Sequence, residues 1–103
     1  MRIKFTFILL GLFILLLGSQ AYAHTLFLSL SEIDENSVEL EGMYSTGEIA
    51  SETPVKIYRA KDNKLIWQGK TDDLGSCIFT RPNEPYEVEL DGGPGHQARE
   101  DGI

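Results

Sequence analysis

With a single cysteine, Cys77, the chain cannot close an internal disulfide. That residue lies in Cys77-Ile78-Phe79, inside an alternating apolar stretch, and reads as a small buried apolar side chain. Histidine is nearly as scarce, His24 and His96 being the only two. No apolar run is long enough to cross a bilayer as a permanent helix: the one continuous run, Phe5 to Gly18, falls short of the ~20 residues a hydrocarbon core requires. Basic residues are outnumbered, nine against sixteen acidic ones, which disfavours nucleic acid and anionic membrane surfaces as partners. No segment after residue 24 repeats its apolar residues at helical spacing, so a helical fold is excluded too. Nor is there a serine, cysteine and histidine set arranged for acyl transfer. The acids fall mostly at alternating strand positions, as in Glu39 with Glu41 and Glu87 with Glu89, and read as a solvated face. Catalysis is therefore not expected.

What is present falls into two regimes. Met1-Arg2-Ile3-Lys4 is a short positive segment, the apolar run follows, and Ala21-Tyr22-Ala23 carries the small-x-small pattern that a signal peptidase reads. Residues 1–23 are thus expected to be an export signal helix, cleaved after Ala23, and the mature protein to be periplasmic or secreted with no membrane span. Cleavage removes Arg2 and Lys4 and leaves seven basic against sixteen acidic side chains. About 80 residues remain, enough for one domain with one core.

From residue 24 to 91 the apolar period is two. Leu26, Leu28 and Leu30 alternate with Phe27 and Ser29, which puts the leucines on one face, and Val38 and Leu40, Val55 and Ile57, and Val88 and Leu90 alternate with polar neighbours. Turn signals separate the runs: Asp34-Glu35-Asn36, Lys61-Asp62-Asn63-Lys64, Thr71-Asp72-Asp73-Leu74-Gly75 and Pro82-Asn83-Glu84-Pro85. Residues 45–54 form a crossing loop, and Pro54 suits the first position of a strand. The pattern predicts an all-β fold, a small antiparallel β-sandwich of immunoglobulin-like or prealbumin-like type. Trp67 is expected to be its largest single core contributor. Residues 92–103, opened by Gly92-Gly93-Pro94-Gly95, are expected to be a glycine-rich loop and tail that carries His96.

Cleavage after Ala23 would leave His24 as the N-terminal residue. Its free amine and ring Nδ1 can close a chelate on one ion, and His96 could add a third nitrogen if the two ends of the domain meet. Such a nitrogen set suits nickel, cobalt or copper rather than calcium or magnesium. Asp91, Glu100 and Asp101 are the nearby carboxylates that could complete or orient it.

The segments Thr71-Asp72-Asp73-Leu74-Gly75 and Val88-Glu89-Leu90-Asp91-Gly92-Gly93-Pro94-Gly95-His96-Gln97-Ala98 resemble the small extracytoplasmic proteins that accompany nickel and cobalt transporters of the energy-coupling-factor type. The resemblance covers most of residues 24–99. It implies a sandwich like the carboxypeptidase regulatory domain, His24 and His96 as metal ligands, and capture or hand-over of nickel or cobalt to membrane transporter components. One position departs from the pattern: Gln97 stands where those proteins usually carry a basic residue. The alternative expectation is a non-catalytic module that binds a protein or glycan through exposed Tyr44, Tyr58 or Tyr86. The copper-brace arrangement of oxidative polysaccharide enzymes also begins with a histidine, but a domain of this size offers no extended substrate surface.

Overall fold

The computed structural model describes residues 25–103; the expected export signal and His24 lie outside the described residues. Those described form seven strands: β1 (Leu26–Asp34), β2 (Ser37–Tyr44), β3 (Pro54–Arg59), β4 (Leu65–Lys70), β5 (Ser76–Thr80), β6 (Tyr86–Asp91) and β7 (Gln97–Asp101). One antiparallel sheet has the order β1-β2-β5 and the other β4-β3-β6-β7. The two pack as a small all-β sandwich. No helix among the described residues is long and apolar enough to cross a membrane.

The period-two pattern is what builds the interior. Val38 and Leu40 of β2 face inward and are fully buried, while Glu39 between them and Glu41 after them point out. Val55 and Ile57 of β3, and Tyr86, Val88 and Leu90 of β6, do the same from the opposite sheet. Each such side chain contributes roughly 1.5–3 kcal/mol by leaving water. Cys77 is buried among them, and burial pushes its thiol above the usual range.

Four turns share one device. The Oδ1 oxygens of Asp34, Asp62, Asp72 and Asp91 each accept a hydrogen bond from the backbone N–H two residues on, at Asn36, Lys64, Leu74 and Gly93. A short carboxylate thereby supplies the acceptor that the reversing backbone lacks.

The structure corrects the sequence reading in three places. Trp67 is not the leading core residue: it lies on the edge strand β4, is 38% exposed, and touches the core through Phe79 at a ring separation of 6.0 Å. Leu40, Ile57 and Leu90 are the largest fully buried side chains. Tyr86 is not exposed, but buried against Phe79, and its hydroxyl donates to the Ile103 carbonyl at 3.1 Å. Residues 97–103 are not a tail, because β7 pairs with β6 from Glu87↔Asp101 to Asp91↔Gln97. A polar edge strand with only Ala98 packed on the core carries too little apolar alternation to be seen in the sequence.

Candidate functional site

His96 sits at the end of a tight loop between β6 and β7, and Asp91 is what shapes that loop. Its Oδ1 accepts from the Gly93 N–H at 3.0 Å and from Gln97 Nε2 at 3.2 Å, and its Oδ2 pairs with Lys56 Nζ at 3.4 Å. The Gly93 bond, then Gln97, then Lys56 hold its carboxyl below the ordinary value of 3.8. Two backbone bonds close the turn, Gly92 N–H to the His96 carbonyl at 2.7 Å and His96 N–H to the Gly93 carbonyl at 2.9 Å.

The glycines are steric requirements here. Gly93 and Gly95 have φ of 104° and 80°, in the left-handed region where other residues are strained. A Cβ on Gly92 would lie 2.7 Å from the Tyr44 hydroxyl and 2.9 Å from the His96 carbonyl oxygen.

The loop presses the imidazole of His96 against Tyr44, ring edge to ring face, with centroids 6.1 Å apart and planes at 77°. His96 Nδ1 is buried and has no hydrogen-bond partner among the described residues. An imidazole nitrogen in that state is uncommon, since buried polar atoms are nearly always partnered.

Tyr44 is also where the start of the described chain is held. Leu26 pairs with Tyr44 across the β1–β2 ladder. Beyond it, Thr25 and Ser45 exchange two bonds, Thr25 N–H to Ser45 Oγ at 3.0 Å and Ser45 N–H to the Thr25 carbonyl at 2.7 Å. One end of the sandwich thus carries Thr25, Tyr44 and the His96 loop, beside a cleft of about 400 Å3 lined by Tyr44, Glu52, Thr53, Pro54, Asp91 and two loop glycines. Glu52 in that cleft is held below its usual range by Lys70, 2.7 Å away.

Of the expected site residues, His96 is therefore in a formed loop, and His24 lies outside the described residues. Among the carboxylates considered as companions, only Asp91 is at this end, and both its oxygens already serve the loop and Lys56. Glu100 and Asp101 are carried away along β7, pairing with Val88 and Glu87. At about 3.4 Å per strand residue, Glu100 is on the order of 13 Å from His96. No group of three histidine, cysteine, aspartate or glutamate side chains suited to a metal ion occurs among the described residues. On their own the described residues bring one imidazole, that of His96, to this end of the fold.

Tyr44 and Lys56 as supports of the loop were missed in the sequence, because neither is near it in the chain. Gln97 was noticed only as a departure from the resembled pattern, and its amide turns out to brace Asp91. No family model, curated protein or solved structure matches the chain, so the resemblance rests on the residues quoted for it.

Proposed function

We propose that this protein is an extracytoplasmic metal-binding accessory protein, which takes up nickel or cobalt through the amine and imidazole of an N-terminal His24 together with His96, and passes the ion to a membrane transporter. The ion is cargo, and no catalysis is involved. The observation that supports this reading most is the shared neighbour. Thr25, the residue after His24, is bonded to Ser45, next to Tyr44, and the His96 ring rests on Tyr44 itself. The unpartnered Nδ1 of His96 supports it further, as an imidazole with spare coordinating capacity in a loop that Asp91 keeps rigid. Copper would suit the same donors.

Because the amine must lose a proton to bind, and its reference pKa is roughly 8, affinity should rise with pH through that range. The experiment uses the exported protein, with its first residue established by mass spectrometry, titrated with Ni²⁺, Co²⁺ and Cu²⁺ by calorimetry. It is run beside a form carrying one extra residue before His24, and beside His96→Ala. The expected result is tight binding by the His24 form, loss of at least about tenfold in each altered form, equal to about 1.4 kcal/mol, and an affinity that climbs with pH. Equal affinity of the three forms, or a chain that begins elsewhere than His24, would overturn the reading.

A further inference from the structure

The three-stranded sheet has an outer face unlike the rest of the surface. Phe27 of β1 and Met43 of β2 are cross-strand partners pointing outward, 56% and 51% exposed, and Ile49 bridges to Met43. With Leu74 they line a groove of about 360 Å3. Leu74 is 76% exposed at the tip of a turn that Asp72 holds by accepting from both Leu74 N–H and Ser76 N–H at 2.9 Å. The core has no use for a leucine there. Contiguous exposed apolar side chains of this kind mark interaction surfaces more often than chance.

The one charged residue lining the groove is acidic, Glu41, and its neighbour on the same strand face is Glu39. From Thr25 to Val55 the sequence has seven acidic residues and no lysine, arginine or histidine; of these, Glu32 and Glu52 are met from elsewhere in the chain, by Arg81 at 3.0 Å and Lys70 at 2.7 Å. Glu39 and Glu41 run down the middle of the outer face, Glu41 opposite Ser29 and Glu39 between Ser31 and Ile78. Neither enters an ion pair among the described residues, and Glu41, with Asp72 further off, raises the Glu39 carboxyl above its ordinary value. The opposite sheet behaves otherwise: Glu87 and Glu89 are both answered by Arg99, at 2.7 Å and 3.8 Å, and its guanidinium stacks over Tyr58.

We infer that this outer face docks a partner protein through a segment in which apolar side chains alternate with lysine or arginine, the apolar ones entering the Phe27–Met43–Ile49–Leu74 groove and the cations meeting Glu39 and Glu41. Charge decides the occupant. A second copy would bring its own Glu39 and Glu41 against the first pair, and like charges brought together across an interface cost several kcal/mol. An anionic lipid or nucleic acid is repelled for the same reason. The inference stands independently of the metal site, which lies on the loop between β6 and β7.

The probe is a synthetic peptide alternating lysine with leucine and phenylalanine, its binding to the exported protein read by fluorescence anisotropy. Two control peptides carry glutamate for lysine, or alanine for leucine and phenylalanine. The first peptide is expected to bind at least about tenfold more tightly than either control. Leu74→Ser and Met43→Ser should each weaken it severalfold, and Glu39→Gln with Glu41→Gln should weaken it and flatten its salt dependence. All four positions are at the surface, so the fold does not depend on them; Lys64→Ser, in the turn between β3 and β4 of the other sheet, is the unaffected control. Binding that ignores Leu74→Ser and the two glutamines, no binding, or concentration-dependent dimerisation abolished by Leu74→Ser would each overturn the inference.

Discussion

Thr71 shows how a single side chain can tie the two sheets' connections together. It is 1% exposed, its hydroxyl donates to the Ala50 carbonyl at 2.6 Å, and the same oxygen accepts from the Thr53 N–H at 2.8 Å. One oxygen thereby makes two of the bonds that pin the loop from Ser45 to Thr53 to the chain just after β4, beside the backbone bonds Thr71 N–H to the Thr53 carbonyl at 2.9 Å and Glu52 N–H to the Asp72 carbonyl at 3.3 Å. Thr71→Val keeps the shape and removes both bonds, leaving a buried carbonyl and a buried N–H unpaired. It is expected to lower stability by about 1–3 kcal/mol, seen as a lower urea midpoint with an unchanged slope, while Thr71→Ser retains most of it. Thr71 was legible in the sequence only as the first residue of a turn motif. Its two partners lie about 20 residues away, and no local pattern announces them. The same holds for Tyr44 beneath His96.

At the level of elements, six strands and the turns between them were readable because each strand alternates strongly or is bracketed by aspartate, glycine or proline. β7 was not, since Gln97-Ala98-Arg99-Glu100-Asp101 has one apolar residue in five. It forms because β6 needs a neighbour. Val88 and Leu90 are fully buried, and β7 meets the backbone of that strand on the side that β3 does not. Arg99 adds its pairs with Glu87 and Glu89, partly exposed and worth little individually. A chain ending after His96 would leave β6 as an open edge and free the Tyr86 hydroxyl from Ile103. It is expected to lose its cooperative urea transition, or to show it at a much lower midpoint, whereas Arg99→Ala should shift the midpoint only slightly. Equal stability of the truncated and full chains would show that β7 is dispensable to the fold.

For the whole molecule the governing quantity is the excess of acid. Glu39 has its carboxyl raised above 4.5, so the folded state holds that proton more tightly and stability is gained as pH falls through the raised value. Asp91 and Glu52 are depressed below 3.8 and 4.5, so their contribution is present above those values and lost as pH falls through the folded ones. The urea midpoint is therefore expected to rise as pH is lowered through the raised Glu39 value toward 4.5, and to fall as pH drops further through the folded values of Glu52 and Asp91. Glu39→Gln should flatten the rising limb and leave the falling one. The check is a series of urea melts across that range for both proteins.

The period-two alternation and the aspartate turns were enough, read along the chain, to specify an all-β sandwich, because each strand's burial face and each reversal is a local property. Which strands are neighbours is not local. Only the tertiary structure decided that Trp67 lies at an edge, that Tyr86 is buried, that Asp91 is a brace and Glu100 is remote from His96, and that among the described residues the acids of β2 meet no cation while those of β6 meet Arg99. Those outcomes depend on sheet order and register, which join residues tens of positions apart. The same joining puts Thr25, Tyr44 and His96 at one end of the fold, where two distant parts of the chain converge on one tyrosine.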